Sequence, residues 1–300
     1  MAGRRRIGRT RPCPSLGRGC AVAARRHTRH APRHRGEVPV SRAAAVGRPP
    51  RTLTGRARRE WASLAVPTPR SAVFDPAMVV HLPPPVRRWL VHAIAPGTAL
   101  LRSVELAMHG EIRLGAWRRF EAAQILTPPQ GFLWAATAHL TALPVSGFDR
   151  YSNGTGEMRW RLLGAFPVMS GAGADITRSA AGRLAGEFVF VPTAALGPAI
   201  VWEPIDDRRA VARVPVGERE VHVTVEVAAS GALESVTLCR WGDPDRSGYR
   251  EHVFGAGFQD EAVFGGFTIP RTASAGWWYG TERWSEGEFF RFTIDRAVYR

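Results

Sequence analysis

Apolar and polar residues alternate along the stretch from Pro129 to Leu163. Three runs each place one set of side chains on a single side: Phe132, Trp134, Ala136, Ala138 and Leu140; then Leu143, Val145, Gly147, Asp149 and Tyr151; then Met158, Trp160 and Leu162. A period of two is typical of β-strands with one buried face. The Asn153-Gly154 pair favours a tight hairpin turn. The stretch therefore predicts an antiparallel sheet with an apolar, aromatic concave side.

The same alternation continues on both sides of this stretch. Val104 to Leu114 alternates, and a turn at Gly115 leads into residues 117–126. Further strands are predicted at residues 200–205, 210–216, 221–227, 233–241, 266–279 and 286–299. Residues 242–261 are polar and glycine-rich, and we expect a loop with some strand character there. Because the connections are short, neighbouring strands should be antiparallel.

Two segments have helical periodicity instead. The first covers about residues 84–95, where Val86, Trp89, Leu90, Ala93 and Ile94 fall on one face and a proline run precedes the first turn. The second covers about residues 175–190, with Asp175 as N-cap and Leu184 and Phe188 four residues apart. Gly182 and Gly186 weaken this helix, so their spacing predicts close packing on the sheet.

The pattern predicts a mainly β, α+β fold. We expect a strongly curved antiparallel sheet or half-barrel, one main covering helix at about 175–190, and a short N-terminal helix at about 84–95 that caps one end. The folded domain would span residues 78–300.

Charge separates this domain from the N-terminal quarter. The chain has a net charge of +15 and no Lys, and residues 1–80 contain 18 Arg against three acids, whereas residues 81–300 contain 23 of each. Residues 1–77 have few large apolar residues, which predicts a disordered tail. This tail is either a basic arm that binds nucleic acid or anionic lipid, or a segment encoded upstream of a true start at Met78 that is not part of the natural protein. We favour the second, because no aromatic residues interleave with the arginines, and we expect no specific nucleic-acid partner.

The tail also contains Cys13, Cys20, His27, His30 and His34. The cysteines are too far apart for a zinc knuckle, so we predict no metal site. Three cysteines in all do not form a disulfide framework. The N-terminus lacks an apolar signal segment, and no run of about 18 apolar residues occurs, which predicts a cytoplasmic protein without a transmembrane segment.

The motifs of the common enzyme classes do not occur: there is no nucleophile elbow, phosphate loop, His-Glu-x-x-His or Cys-x-x-Cys. We therefore predict no catalytic residues and no cofactor, and we favour a protein that is not an enzyme over one that is.

Several charged residues nevertheless fall where apolar ones are expected. Asp149, Tyr151 and Arg240 are in phase with buried positions of their strands, and Arg183 and Glu187 lie on the covering helix. Charge that faces a sheet interior must be paired. These residues could form a salt-bridge cluster that fastens helix to sheet, a polar anchor for the head group of an amphiphile, or an acid/base site made of Asp149, Tyr151 and Arg240.

Tryptophans are the second candidate group: Trp134, Trp160, Trp202, Trp241, Trp277, Trp278 and Trp284. They either build the core or line a cavity between sheet and helix. Our hypothesis is non-enzymatic binding of a hydrophobic or amphiphilic small molecule against Trp134, Trp160, Phe188 and Trp202, with Arg240 or Arg183 orienting an acidic head group. The alternatives are a small-substrate enzyme and a purely structural or partner-binding domain.

Four blocks carry a resemblance to a known family: GFDRYSNGTGEMRWRLLGAFPV, RLAGEFVFVPTAAL, CRWGDPD and GGFTIPRTASAGWW. From about Leu82 to Arg300 the chain resembles an uncharacterised bacterial family, a domain of unknown function common in actinobacteria. No activity is established for that family, so the resemblance supplies no catalytic residues. The order of strands, one helix and more strands is also similar to the lipoprotein-carrier half-barrel, in which a curved sheet holds acyl chains. Those carriers are exported, so this similarity implies a fold rather than a role.

Overall fold

The computed structural model describes residues 49–68, 71–140 and 143–300. The first 48 residues of the predicted tail, with Cys13, Cys20 and the three histidines near them, lie outside the described residues.

The described residues contain thirteen strands in one antiparallel sheet. Their bounds are β1 (Val104–Leu114), β2 (Ala116–Thr127), β3 (Gly131–Leu140), β4 (Leu143–Ser152), β5 (Thr155–Leu162), β6 (Phe166–Ala172), β7 (Val201–Pro204), β8 (Arg209–Val216), β9 (Arg219–Val227), β10 (Leu233–Gly242), β11 (Arg250–Phe264), β12 (Phe267–Trp277) and β13 (Glu288–Tyr299).

The strand order is β6-β5-β4-β3-β2-β1-β13-β12-β11-β10-β9-β8-β7. Consecutive strands pair with each other except β6 and β7, and β1 also pairs with β13, which joins two meanders at the centre of the sheet. β6 and β7 are the two edges. The predicted antiparallel, mainly β fold is confirmed.

The helices of the described residues are α1 (Gly55–Leu64), α2 (Pro84–Ala93), α3 (Ala174–Glu187) and the short α4 (Trp284–Gly287). Single 3₁₀ turns occupy Pro76–Val79, Phe188–Phe190 and Pro192–Leu196. The helices predicted at about 84–95 and 175–190 are confirmed as α2 and as α3 with its 3₁₀ continuation.

Helix α3 shows that the sheet is strongly curved. It connects the edges β6 and β7, and it packs against β4 and β5 on one wing and β8 and β10 on the other. β5 and β10 are eight strand spacings apart, about 38 Å in a flat sheet, whereas a helix is about 10 Å wide. One helix can touch both wings only because the sheet wraps around it.

The concave side holds the main core. Phe120, Phe132 and Leu126 of the sheet belong to one buried cluster with Leu184 and Phe188. At one end α2 closes this core, where Trp89 lies 6.0 Å from Phe188 and 6.2 Å from Trp202, ring centre to ring centre. This end is densely packed with aromatic rings.

The prediction that residues 1–77 form a disordered tail is wrong for the part that is described. Helix α1 buries Ala57, Trp61 and Leu64 in a second core on the convex side. That face of the sheet is apolar because Ile125, Leu133, Ala135 and Phe148 point outward from β2, β3 and β4. Such a surface needs cover, and α1 supplies it.

A buried arginine shows the same dependence on α1. Arg150 points outward from β4 and is 3% exposed. It contacts Glu157 of β5 at 2.6 Å and Glu60 of α1 at 3.2 Å. Burial alone would raise the pKa of Glu157, but the hydrogen bonds and charges of Arg150 and Arg159 lower that pKa below its usual range. The helix thus supplies charge compensation as well as apolar cover.

The prediction of a glycine-rich loop with some strand character at residues 242–261 is also corrected by the structure. From Arg250 onward it is β11, fifteen residues long and paired on both sides, with β10 and β12. Gly255 and Gly257 lie under the ring of Tyr279, where an added Cβ would come within 2.9 Å and 2.7 Å of that side chain. The glycines therefore make room for a tyrosine across the strand.

Candidate functional site

A cavity of about 230 Å³ lies between α3 and the concave face of the sheet. Its wall combines aliphatic side chains of β1, β5 and β10 with aromatic ones of β11, β12 and β13, and with a polar corner. The residues that line it are Leu106, Met108, Ile112, Gln124, Trp134, Asp149, Met158, Gly182, Arg183, Gly186, Glu187, Phe190, Val236, Leu238, Arg240, Phe254, Ala256, Phe258, Ala275, Trp277, Phe289, Phe290 and Phe292.

Phenylalanines form most of the apolar wall. The ring of Phe290 lies 5.6 Å from that of Trp134 and 5.3 Å from that of Phe292, and Phe254 packs edge-on against Trp277 at 5.1 Å. Seven apolar lining residues are only half-buried: Ile112, Met158, Phe254, Phe258, Trp277, Phe289 and Phe290. The cavity is therefore apolar and reachable from solvent on that side.

The polar corner is a hydrogen-bonded cluster between α3 and the strands β2 and β4. Trp160 Nε1 donates to Asp149 Oδ1 at 3.0 Å, and Arg183 lies 3.5 Å from the other oxygen of Asp149. Arg183 Nε donates to Glu187 at 2.7 Å, and Gln124 Nε2 donates to Glu187 at 2.6 Å. Arg183 thus contacts the carboxylates of both Asp149 and Glu187. Its contact with Asp149 is the predicted salt bridge between helix and sheet.

Burial dominates the electrostatics of Asp149. It raises the pKa of the Asp149 carboxyl above its usual value, and attraction to Arg183 and the hydrogen bond from Trp160 only partly offset this. The side chain is 24% exposed, and Asp149 lines the cavity, so its accessible surface meets the cavity. The neutral form of this carboxyl is favoured there more than in water.

Arg240 of β10 has a different environment from Arg183. Its Nε donates to the backbone carbonyl of Ser179 at 3.1 Å, and its guanidinium lies 4.6 Å from the centre of the Phe254 ring. Burial lowers the pKa of Arg240 to about 10. No carboxylate of the described residues lies within ion-pair distance of it.

Helix α3 approaches Arg240 closely because residue 182 is glycine. A Cβ there would lie 3.1 Å from Arg240 Cγ, and a Cβ at Gly186 would lie 3.3 Å from Leu238. The pair of glycines thus lets the helix pack directly on β10, as their spacing predicted.

Trp134 in the cavity wall has an unsatisfied polar group. Its indole N–H is buried and has no hydrogen-bond acceptor in the described part of the chain.

The structure brings together five of the nine predicted site residues. Trp134, Asp149, Arg183, Glu187 and Arg240 line the cavity. The other four do not line it. Trp160 lies directly behind, bonded to Asp149, while Phe188 and Trp202 belong to the packed end beneath α2.

Tyr151 is the fourth, and its position argues against the proposed acid/base trio. It is buried, and a Cβ on Gly217 in the β8–β9 turn would lie 2.9 Å from its hydroxyl. Burial also raises the pKa of the Tyr151 hydroxyl. Asp149 and Arg240 therefore share a cavity that Tyr151 does not line, so the three residues do not form one site.

Gln124 and the phenylalanines of the wall were not predicted. Gln124 is in phase with Phe120, Ala122 and Leu126, so a polar residue at a buried position was a usable signal. Phe254 and Phe258 were missed because their segment was interpreted as a loop.

Two further findings concern the described residues. No three of their His, Cys, Asp or Glu side chains cluster so that they could hold a metal ion. Within the same ranges, no helix combines the length and the apolar character needed to cross a bilayer.

Two solved structures align with this chain. A LolA superfamily protein from Nitrosomonas europaea is 10% identical, with 72% of this chain and 92% of that one covered and a TM-score of 0.40. A domain from Vibrio parahaemolyticus, classed as an outer membrane lipoprotein-sorting protein, is 8% identical, with 66% and 86% covered and a TM-score of 0.32. No curated protein matches the chain significantly.

The sequence itself matches one known family. The Family of unknown function (DUF6544) aligns with residues 72–291, which is most of the chain. This confirms the resemblance to an uncharacterised family, whereas an actinobacterial origin stays a prediction. The chain belongs to the DUF6544 family of unknown function.

Proposed function

We propose that the cavity between α3 and the sheet binds a small hydrophobic or amphiphilic molecule that carries an acidic group. The observation that carries this proposal is Arg240, a desolvated guanidinium at the wall of an apolar cavity, with no carboxylate of the described residues within ion-pair distance. Placing an unpaired charge in such surroundings is costly. An anionic group of a ligand would supply the missing partner.

The charges in the cavity wall support Arg240, rather than Arg183, as the anchor. Arg183 is bonded to Glu187 and close to Asp149, so its charge is already matched. Arg240 presents a flat donor group against the rings of Phe254 and Trp277. A planar guanidinium binds carboxylate or phosphate oxygens through paired hydrogen bonds.

The cavity size indicates the scale of the ligand. An apolar cavity of about 150 Å³ accommodates benzene. A volume of about 230 Å³ therefore corresponds to about nine non-hydrogen atoms by the same ratio. Octanoate, with ten non-hydrogen atoms, is close to this size, and a longer chain could extend past the half-buried rings of Phe289 and Phe290.

The test is a calorimetric titration of the full chain with octanoate. We expect saturable binding of one molecule per chain. Ala256→Phe, which adds a ring at the cavity wall, should weaken binding at least about tenfold. Val263→Phe is the matched control, because it adds a ring on the same strand at a position that is 68% exposed. Equal binding by the Ala256→Phe variant, with its fold intact by circular dichroism, would contradict the proposal.

A further inference from the structure

Five large apolar side chains are exposed around the hairpin that joins β5 and β6. They form the hairpin patch: Leu143, Leu163, Phe166, Val168 and Met169, with exposed fractions of 45%, 53%, 64%, 53% and 45%. Strand pairing places Phe166 beside Leu162 and Met169 beside Trp160 of β5. The amide of Leu163 donates to the carbonyl of Pro144 at 2.9 Å, which places the start of β4 beside the hairpin.

An apolar patch of this kind on a protein surface marks an interaction site. The patch lies on the edge strand β6, so a second copy of the chain could in principle extend the sheet. Two features of β6 oppose that. The β5–β6 register shifts between Trp160 and Arg161, and Pro167 lacks the N–H that a ladder needs. Bulges and prolines are the usual protection of an edge against strand addition.

The charges beside the patch fit an anionic surface. Residues 158–174 contain two arginines, Arg159 and Arg161, and no acidic residue. Arg161 is exposed, and no carboxylate of the described residues lies within ion-pair distance of it, while Arg159 contacts Glu157. Apolar side chains next to exposed arginines are the combination that binds bilayers containing anionic lipid, by insertion and by phosphate contacts.

We infer that the hairpin patch docks on an anionic lipid bilayer. Phe166, Val168 and Met169 enter the boundary between head groups and acyl chains, and Arg161 contacts lipid phosphates. The patch adjoins the cavity wall: Met158 lines the cavity, and the next inward residue of β5, Trp160, opposes Met169. Docking would bring the cavity edge to the membrane, but it does not depend on the proposed ligand.

The test is amide hydrogen exchange of the full chain with and without vesicles of equal parts phosphatidylcholine and phosphatidylglycerol. We expect exchange in residues 163–172 to slow severalfold with these vesicles and little with phosphatidylcholine alone. This readout is local, so binding through the arginines of the first 48 residues does not imitate it. Unchanged exchange in residues 163–172 would overturn the inference.

Variants give an independent measurement. The triple substitution Phe166→Ser, Val168→Ser and Met169→Ser should lower co-sedimentation with the same vesicles about tenfold. Val263→Ser, which removes an apolar residue that is 68% exposed on another hairpin, should not. Equal loss in the two proteins, or no loss in the triple variant, would contradict docking. So would a wild-type dimer in analytical ultracentrifugation that the triple variant abolishes, since a second copy would then be the occupant.

Discussion

Asp149 is the residue whose protonation should be most visible in stability. Its folded-state pKa is raised by burial, so its contribution is fully present below the unfolded value of about 4 and is lost as pH rises through the folded pKa. The free energy of unfolding of the wild type should therefore fall with rising pH relative to Asp149→Asn, by at most about 1.4 kcal/mol per pH unit.

Urea unfolding of both proteins from pH 4 upward, in steps, measures this difference. A wild type that gains stability over the Asn variant as pH rises would show that attraction to Arg183 outweighs burial, and the direction assigned to Asp149 would be wrong.

Arg240 should determine the preference for an acidic ligand. Arg240→Met keeps much of the apolar side chain and removes the charge, so the affinity for octanoate should fall at least about tenfold while that for 1-octanol changes little. Arg178→Met is the control, because Arg178 is also on the α3–β10 side but pairs with Glu251 at 2.6 Å and does not line the cavity. Calorimetry with both ligands measures the preference, and equal losses for acid and alcohol would refute a head-group role.

For single residues, the sequence predicted the face of the sheet to which a side chain points better than it predicted the residues that the side chain contacts. Asp149 and Tyr151 have the same phase on β4, and both side chains do point inward. Two residues along a strand is nearly 7 Å, which is enough to move Tyr151 from the cavity to the turn at Gly217. Which of the two residues reaches the cavity depends on where α3 crosses the sheet, and the period of the sequence does not contain that information.

Helix α1 gives the sharpest prediction for a single element. Trp61 is 2% exposed beneath the convex face of β2 and β3, so Trp61→Ala should lower the free energy of unfolding by about 3–5 kcal/mol. Arg59→Ala, on the exposed side of the same helix, should change it by less than about 0.5 kcal/mol. Urea unfolding measures both, and a Trp61→Ala variant as stable as the wild type would show that α1 is not part of the folded unit.

The elements that were predicted and those that were missed differ in how their burial is arranged. β8 and α2 bury one face against the main core, so their periodicity is visible in the sequence. β6 exposes nearly every residue and therefore has no apolar alternation to detect. In α1 the apolar spacing of Ala57, Trp61 and Leu64 was present, but the surrounding arginines resembled a solvated tail.

The close approach of α3 to the sheet also depends on a small residue whose role the hydrophobic period of the sequence does not indicate. A Cβ on Gly156 would lie 2.7 Å from the Cα of Thr177, and the Gly156 amide donates to the Thr177 hydroxyl at 3.0 Å. The start of the helix is therefore fixed on β5 by one glycine and one hydrogen bond. Such a contact between segments twenty residues apart becomes apparent only in the folded chain.

For the whole molecule, the long-range β1–β13 pair closes the fold. It joins the first and last strands, and Glu105 of β1 bonds Arg300 at 3.0 Å beside it. Hairpin patterns predicted the meanders but could not predict that the first and last strands pair at the centre of the sheet. Because α3 then connects the two outer edges, the sheet curls around a helix that touches both wings, and the cavity is the part of this interior that side chains do not fill.

The central claim is that an acidic apolar molecule occupies this cavity with its charged group at Arg240. The most direct measurement is a crystal structure of the protein with 8-bromooctanoate, in which anomalous scattering locates the bromine. The account predicts a bromine among Phe254, Phe289 and Phe290 and a carboxylate in contact with the Arg240 guanidinium. A bromine elsewhere, or an empty cavity at a concentration that saturates the calorimetric titration, would contradict it.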